Sequence, residues 1–207
     1  MKASLDYLQS QIASLIDQDE DVSNISTTDY SLRTNYINRA QQEWAEIGDW
    51  QSLYREYNVA AASGLASISL PNDFRKLASY PKIAGDEFTE ALPQEDGKFN
   101  STDKRVWLLG DPNVGYTLRI LGVDIASGAS VRVPYYASCG SLVSVADVSN
   151  IPNPQYLVQR TVAYIWEGRE DPRFPQAKAE ADRILSNMIE RENTPNMASD
   201  WGTVKTV

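Results

Sequence analysis

The glycines of "WLLGDPNVGYT" have the spacing of a phosphate-binding loop. Four residues separate Gly110 from Gly115, and Thr117 follows one residue later. That motif needs a lysine just before the threonine to reach the β- and γ-phosphates, but Tyr116 occupies this position. It also needs a helix N-terminus, whereas a strand pattern follows here, and Asp111 would repel a phosphate. We therefore interpret the segment as a β-hairpin with a Pro-Asn turn.

Three carboxylates lie close together in "EGREDPRF", at Glu167, Glu170 and Asp171. Paired carboxylates can hydrolyse a glycosidic bond or bind a metal ion. Arg169 and Arg173 are interleaved with them, and the segment falls between two helical patterns. We predict a turn whose charges neutralise each other, with a small carboxylate-dependent hydrolase as an alternative.

The other residue types that carry chemistry are scarce. Histidine, the usual general base near neutral pH and the commonest metal ligand, is absent from the 207 residues. Cys139 is the single cysteine, and "YYASCGSLVS" places no basic residue beside it, so we predict an unreactive thiol. The sequence thus predicts no catalytic, cofactor-binding or metal-binding residues and no enzymatic activity.

Aromatic side chains could form a stacking platform for sugars or bases. Most of them occupy the apolar phase of their elements, which favours packing in the core. A carbohydrate-binding or receptor-binding β module is an alternative that exposed aromatics would support. The residues in question are Trp44, Trp50, Tyr54, Trp107, Tyr135, Tyr136 and Trp166.

Charge and composition narrow the classes of partner. The chain has 19 basic and 28 acidic residues, a net charge of −9, and 42% hydrophobic residues, which is typical of a globular protein. A surface of that sign repels nucleic acid, which argues against a sequence-reading DNA-binding domain but not against an acidic channel for DNA. No apolar run approaches the ~20 residues of a membrane span. We expect no secretory signal in the first residues, because they lack an apolar h-region and include Asp6. We expect no membrane partner and assembly in the cytoplasm.

Two helical patterns occupy residues 1–48. We predict Thr28 as the N-cap of the second helix, Asp29 in its first turn and Gly48 as its C-terminal stop. The apolar stripe of the first helix is Leu5, Leu8, Ile12, Leu15 and Ile16. The stripe of the second is Tyr36, Ile37, Ala40, Trp44 and Ile47, opposite a polar face of Asn35, Asn38, Gln42, Glu43 and Glu46.

After Trp50 the apolar residues alternate with polar ones, with a period of two residues that is typical of strands. "SLYREYNVAAASGLASISLP" predicts a hairpin with a first strand through Tyr54 and Val59, a turn at Ser63-Gly64 and a return strand. Four more strand patterns follow, separated in part by the polar loop "PQEDGKFNSTDK": "EFTEAL", "KRVWLLG", "YTLRILGV" and "ASVRVPYYA".

The end of the return strand, "SLPNDFRKL", predicts a small hydrophobic anchor. Pro71 has no N–H with which to continue a ladder, so the strand ends at Leu70. We predict that Leu70, Phe74 and Leu77 are buried together.

Helical periodicity returns at residue 153. Asn153 is the predicted N-cap, Pro154 the first helical residue and Gly168 the stop. The buried residues of this helix are predicted to be Leu157, Val158, Thr161, Val162 and Ile165. Those of the last helix, "QAKAEADRILSNMIERE", are Ala177, Ala181, Ile184, Leu185 and Met188.

The predicted fold is α+β. Two N-terminal and two C-terminal helices, within 1–48 and 153–192, form one helical bundle, and an antiparallel β insertion covers 50–140. Residues 1–192 are predicted to form a single domain, because neither helix pair could bury its stripe alone. Residues 193–207 follow as an extended arm with no repeating apolar face.

This order of parts resembles the head-to-tail adaptors of tailed bacteriophages, of the connector or tail tubular A type. The similarity begins in "NRAQQEWAEIGDWQSLYREYNVAAASGLASISLPNDFRKL", where a helix with a bulky aromatic leads to a hairpin and to Leu-Pro-x-Asp before an apolar residue. It continues in "VRVPYYA", in "PNPQYLVQRTVAYIWEGREDPRF" and in the final amphipathic helix and tail. The similarity lies in the order of the elements and covers nearly the whole chain. No single residue in the shared motifs is diagnostic of the family.

The resemblance implies a structural virion protein at the head–tail junction. Such a protein forms a ring, typically of 12 copies, beneath the portal protein, and it receives a tail or nozzle protein below. Genomic DNA passes through the lumen without specific binding. On this basis residues 193–207 are predicted to dock on the portal, with these anchors: Pro195, Met197, Trp201, Val204 and Val207. The polar loop in the β insertion is predicted to contact neighbouring subunits through Asp96, Lys98 and Phe99.

Overall fold

A computed structural model describes residues 2–17, 25–61, 67–91, 103–121 and 125–193. The described chain forms a mixed α+β fold, as predicted. Its helices are α1 (Leu5–Ile16), α2 (Thr27–Ile47), α3 (Pro154–Gly168) and α4 (Phe174–Asn193). Its strands are β1 (Tyr54–Ala60), β2 (Ser67–Ser69), β3 (Phe74–Leu77), β4 (Lys82–Ile83), β5 (Asp86–Glu87), β6 (Thr89–Glu90), β7 (Arg105–Asp111), β8 (Gly115–Leu121) and β9 (Ser130–Ala137).

The chain divides into two compact units. The helical unit combines Met1–Ser52 with Ser141–Val207, and the β unit is Leu53–Gly140. Both ends of the chain therefore contribute to the unit that holds the four helices. Within the described residues, no helix is both long and apolar enough to cross a membrane.

In α1 the buried arc is rotated from the predicted stripe. Leu5, Leu8 and Ile12 are buried as predicted, but Leu15 is 41% exposed. At 100° per residue, Leu15 lies at the margin of the arc, while Gln9 lies inside it. The Gln9 amide is buried and donates to the Tyr30 carbonyl oxygen (3.1 Å) and to a threonine hydroxyl of α2.

The N-cap of α2 is Ser26, so the prediction of Thr28 was wrong. The Ser26 Oγ accepts the backbone N–H of Asp29 (3.1 Å), and its hydroxyl donates to the Asp29 carboxylate (2.7 Å). This reciprocal pair starts the helix at Thr27, because it satisfies a backbone donor that the first turn leaves free. Asp29 in the first turn and Gly48 at the C-terminal end are confirmed.

The predicted start of α3 is confirmed. The Asn153 Oδ1 accepts the backbone N–H of Gln155 (3.1 Å), and Pro154 occupies the first turn. α3 contacts α1, α2 and α4, which explains why it is buried around most of its circumference. Its buried residues are Tyr156, Leu157, Val158, Thr161, Val162, Ala163, Tyr164 and Ile165. Those of α4 are Ala177, Ala181, Ile184 and Met188, with Leu185 half-buried.

The strands of the β unit form two sheets. The first has the order β1-β9-β4-β5, with β3 also paired to β9, and the second has the order β2-β8-β7-β6. All pairs are antiparallel except β6 with β7. The predicted hairpin of β1 with β2 was wrong, because β1 pairs with β9 in one sheet and β2 with β8 in the other. The residues predicted as its turn lie outside the described chain.

Both sheets contribute to one buried cluster. Leu70 and Phe74 belong to it, and Leu77 is half-buried against it, so the predicted anchor is confirmed for two residues and partly for the third. The Phe74 ring lies 5.6 Å from the Tyr135 ring and 5.1 Å from the Tyr116 ring. This aromatic group joins β3 and β9 of one sheet to β8 of the other.

The glycine-containing segment is a hairpin, as interpreted from the sequence. The antiparallel pairing of β7 with β8 extends to the pair Asp111–Gly115 at the turn. Within the turn, Asp111 Oδ1 accepts the Asn113 backbone N–H (2.7 Å). Gly110 has φ of 111°, and a Cβ there would lie 2.0 Å from the Gly115 carbonyl oxygen. The glycines thus serve the turn, because no other residue fits at Gly110.

Candidate interaction surfaces

The acidic segment between α3 and α4 forms a turn in which Asp171 is paired with Arg173. Arg173 makes two hydrogen bonds to the Asp171 carboxylate, at 3.0 and 2.7 Å, and its guanidinium lies 4.4 Å from the Trp166 ring. The Arg173 side chain and backbone N–H lower the pKa of Asp171 to about 2. Asp171 therefore stays ionised near neutral pH and cannot act there as a general acid, while Glu167 and Glu170 are exposed.

The remaining groups able to carry chemistry are dispersed or buried. Among the described residues, no group of three acidic, cysteine or histidine side chains could hold a metal ion. Burial raises the pKa of the Cys139 thiol to about 11, and Arg75 only partly opposes this shift. A raised pKa disfavours the thiolate, which is the nucleophilic form.

The aromatics divide between core and surface. Trp44 and Trp50 are buried and stacked at 4.6 Å, and the Trp50 Nε1–H donates to the Trp44 carbonyl oxygen (2.7 Å). Tyr135 is also buried, so core packing is confirmed for these three. Tyr54 is 37% exposed, whereas Tyr136, Trp166 and Trp107 are half-buried.

A polar cluster links three helices. Arg160 of α3 donates from Nε and Nη2 to Glu43 Oε2 of α2, at 3.1 and 3.0 Å, and lies 3.8 Å from an Asp182 oxygen of α4. Arg160 also donates to the Tyr164 hydroxyl (3.1 Å), and the Arg39 guanidinium lies 4.4 Å from the Tyr164 ring. The polar face predicted for α2 is therefore partly an interhelical contact.

These contacts change the acidity of Glu43. Burial alone would raise its pKa, but hydrogen bonds from Tyr164 and Arg160 outweigh burial and hold the pKa below the ordinary value of 4.5. Burial and the hydrogen bond to Glu43 raise the pKa of Tyr164 to about 12. The cluster stabilises the ionised carboxylate and the neutral phenol.

We expect Glu43→Gln to lower the free energy of unfolding by about 1–2 kcal/mol at neutral pH, because charge-assisted hydrogen bonds are lost. Since the folded pKa is below 4.5, the stabilisation from the carboxylate is complete above pH 4.5 and is lost as the pH falls through the folded value. Chemical denaturation at a series of pH values should show the variant and wild-type curves converging in acid. Exposed Glu46→Gln is the control, and curves that stay parallel in acid would contradict this role for Glu43.

Exposed apolar residues lie on two neighbouring backbone segments of the helical unit, 4–7 and 143–148, which hydrogen-bond to each other. Val143 is 79% exposed, Val145 55%, Val148 47% and Tyr7 43%. We call these four residues the valine surface. Exposed apolar residues that adjoin one another mark interaction sites more often than single ones do.

The backbone beneath the valine surface is held by hydrogen bonds. Leu5 N–H donates to the Asp147 carbonyl oxygen (2.8 Å), Asp6 N–H donates to the Val145 carbonyl oxygen (3.2 Å), and Ser4 bridges Val148. The Asp147 carboxylate accepts two backbone N–H groups at 2.7 Å, from residues 143 and 144, and these bonds lower its pKa. The surface is thus presented in a fixed geometry.

Asn38 of α2 anchors the start of the same segment. Its Nδ2 donates to the Leu142 carbonyl oxygen (3.0 Å), and its Oδ1 accepts the Leu142 N–H (2.8 Å). Beside the valine surface lies a hollow of about 200 Å³, which we call the N-terminal hollow; it is lined by Lys2, Ala3, Ser4, Tyr7 and Pro154.

The second sheet has an open face on the β unit. Cross-strand pairing places Trp107 opposite Arg119 and Leu109 opposite Thr117, while Arg119 also pairs with Ser67. A shallow hollow of about 430 Å³ is lined by several residues of this face. An aromatic ring beside a guanidinium and hydroxyl groups can contact a sugar.

The predicted site residues and the observed surfaces differ. The arm residues Pro195, Met197, Trp201, Val204 and Val207 and the loop residues Asp96, Lys98 and Phe99 all lie outside the described residues. The valine surface was not predicted. Its sequence signal is "SLVSVADVS", which repeats valine among small and acidic residues without a helical or a full strand pattern.

The sequence matches none of the protein-family models and none of the curated proteins with which it was compared.

Proposed function

We propose that this protein is a structural subunit of a ring that joins the head of a tailed bacteriophage to its tail. The proposal begins with the order of parts along the chain, in which two helices precede and two helices follow a β insertion. In this proposal the four helices form one bundle that acts as the scaffold. Their assignment to one compact unit supports that arrangement.

The observation that carries the proposal is the valine surface. Four exposed apolar side chains on a hydrogen-bonded backbone are unfavourable in water, and contact with a partner would remove them from it. In a ring this partner is the neighbouring copy, which contacts the valine surface with a different patch of its own. Such a heterologous contact repeats from subunit to subunit until the ring closes. We propose that the valine surface lies at the boundary between neighbouring subunits.

The remaining parts of the proposal follow from the resemblance. The ring, of 12 copies, sits in the virion beneath the portal, and the arm predicted at residues 193–207 docks on the portal with Trp201 as anchor. Asp96, Lys98 and Phe99 contact a neighbouring subunit, and a tail or nozzle protein binds below. A net charge of −9 per copy favours passage of DNA through the lumen without adhesion. The proposed role is structural, with no cofactor.

Self-association of the purified chain tests the proposed subunit contact. We expect Val143→Asp to weaken it about tenfold or more, because a charge replaces an apolar contact. Sedimentation velocity over about a hundredfold range of concentration would measure the change. Val114→Asp is the matched control, since Val114 is 85% exposed but lies at the β7–β8 turn. If both variants self-associate equally, the valine surface is not part of the subunit interface.

A second candidate function is favoured by the open face of the β unit. Trp107 and Arg119 are cross-strand neighbours there, and Arg119 lines a shallow hollow, an arrangement that suits a carbohydrate-binding module of a virion. Saturable oligosaccharide binding that is lost in Trp107→Ala, by a chain that stays monomeric, would favour this function over the ring.

A further inference from the structure

Strand β1 is a long and regular edge of the first sheet. It lies at one end of the order β1-β9-β4-β5 and pairs with β9 in unbroken register over the seven residues Tyr54–Ala60. The other strands at the ends of the two orders, β2, β5 and β6, have three, two and two residues. Short length, lysine, proline and bulges protect an edge from pairing with another chain, and β1 has none of these. Of the described strands, β1 is therefore the best suited to accept a further strand.

The backbone groups of alternate β1 residues point away from the sheet. Ala61, which follows β1, donates its N–H to the Ala129 carbonyl oxygen beside β9 (2.8 Å). In an antiparallel pair every second residue repeats this direction, and the residues between them point the opposite way. The N–H and C=O groups at the open edge are therefore those of the following residues: Tyr54, Glu56, Asn58 and Ala60.

The proline of β9 supports this direction. Pro134 lies opposite Glu56 and has no N–H to donate. Its carbonyl oxygen accepts the Ala78 N–H (3.0 Å) from the other side of β9. Among the described strands only β9 pairs with β1, so the outward backbone groups of Glu56 and Asn58 have no strand partner within the single chain.

The two charged residues of β1 are held in ways that leave the edge open. Glu56 Oε1 accepts the Tyr54 hydroxyl (2.8 Å) and the Arg132 guanidinium of β9, so Oε2 can accept a further donor. Arg55 Nη1 donates to the Tyr54 carbonyl oxygen (2.8 Å), at the first residue of the strand. The side chains of Glu56 and Asn58 are exposed.

A second copy of β1 is complementary to this edge in one register. When both strands overlap fully and run antiparallel, Glu56 lies opposite Asn58 of the second copy. Each such pair can exchange both of its backbone hydrogen bonds, and the Glu56 carboxylate can accept the opposite amide. A shift of two residues in one direction would place Glu56 opposite Glu56, and like charges directly opposite are destabilising. A shift in the other direction shortens the overlap.

We propose that β1 pairs with β1 of a second copy about a two-fold axis at Tyr57, which joins the first sheets of two chains into one continuous sheet. Tyr57 and Val59 pack against the buried cluster of the β unit, so the pairing extends this apolar face across the axis. A two-fold contact is complete with two copies and cannot repeat around a ring. The dimer is therefore a form separate from the proposed ring and does not rest on it.

Disulfide formation at the two-fold axis tests the pairing and its register. In a Cys139→Ser background of the full chain, Tyr57→Cys should form a covalent dimer under mild oxidation. The backbone of Tyr57 points toward β9, so this position meets its equivalent in a non-hydrogen-bonded pair, with Cα atoms about 4.5 Å apart, a distance that a disulfide spans.

The matched control is Val59→Cys, on the same face of β1 and also half-buried. In the proposed register, position 59 lies opposite Arg55 of the second copy, four residues or about 13 Å along the strand from its own equivalent. We expect Tyr57→Cys to cross-link at least about tenfold faster than Val59→Cys. Equal rates for the two variants would overturn the register, and no cross-link in either would overturn the pairing.

Substitutions of Asn58 test the dimer without a cross-link. Asn58→Glu places a second carboxylate opposite Glu56 and should weaken dimerisation about tenfold or more, whereas Asn58→Lys places an ammonium group there and should maintain or strengthen it. Sedimentation velocity measures dimerisation, and circular dichroism verifies that both variants stay folded. Equal dimerisation of the two variants would contradict the proposal.

Val143→Asp separates this contact from the proposed ring contact. It should leave the Tyr57→Cys cross-link unchanged, because the valine surface takes no part in the strand pairing. Loss of the cross-link in the Val143→Asp chain would mean that the dimer forms through the valine surface and would overturn the strand pairing. If the cross-link forms but rings never do, the strand pairing stands and the proposed ring fails.

Discussion

Phe74→Ala is expected to lower the free energy of unfolding of the β unit by about 3–5 kcal/mol, the range for truncating a large buried aromatic. Phe74 is only 4% exposed and contacts Tyr116 and Tyr135, which belong to different sheets. The substitution would leave a cavity between those sheets that the stiff strands can only partly fill. Urea denaturation followed by circular dichroism measures the effect.

The matched control for this experiment is Phe74→Leu, which keeps most of the apolar volume. It should cost less than about 1.5–2 kcal/mol, because volume is largely conserved. A denaturation midpoint unchanged by Phe74→Ala would mean that Phe74 serves a contact outside the chain instead of the core.

Removal of residues 194–207 is expected to abolish binding to portal-containing heads while changing the melting temperature little. The segment follows the last residue of α4, so its removal leaves every described element intact. Trp201→Ala in the full chain should weaken the same binding by about 2–4 kcal/mol per site, the scale of an aromatic anchor. Co-sedimentation with DNA-filled, tailless heads measures both variants.

Thr203→Ala is the control for a small change in the same segment and should bind normally. Normal affinity of the truncated chain for heads would contradict the docking role and would place the contact on the folded part of the protein.

The sequence predicted the start of α3 correctly because its start signal is local, whereas for α2 it placed the N-cap at Thr28 instead of Ser26. Asn153 and Pro154 begin α3 as predicted, since a cap depends only on its own first turn. The stripes were less accurate, because Gln9 in α1 and Gln41 in α2 are buried although they are polar. Gln41 accepts the Ser149 hydroxyl (2.7 Å), a partner that is far away in sequence and that periodicity cannot reveal.

Strand pairing was harder to predict than strand position. β1 and β2 follow each other in sequence, which favours a hairpin, yet β9 pairs with β1 from Tyr136 to Ser130. An alternation of apolar and polar residues indicates which face of a strand is buried, but it does not indicate which strand lies beside it. The β7–β8 hairpin was predicted correctly because its turn residues specify a local pairing.

The valine surface could not be predicted because its geometry comes from long-range contacts. Asn38 fixes Leu142 through two hydrogen bonds, and Leu5 and Asp6 hold the segment that carries the valines. Asn38, Leu5 and Asp6 are all far from residue 143 in sequence. Asn38 was assigned correctly to the polar face of α2, but nothing in its position identified the backbone that it binds.

Electron microscopy of DNA-filled, tailless phage heads that carry the portal of the proposed assembly, incubated with the purified protein, tests the central claim most directly. The account predicts a closed ring at the portal vertex, with 12 copies of the chain and a central channel continuous with that of the portal. A vertex without added density, or a single copy bound at one side, would contradict it.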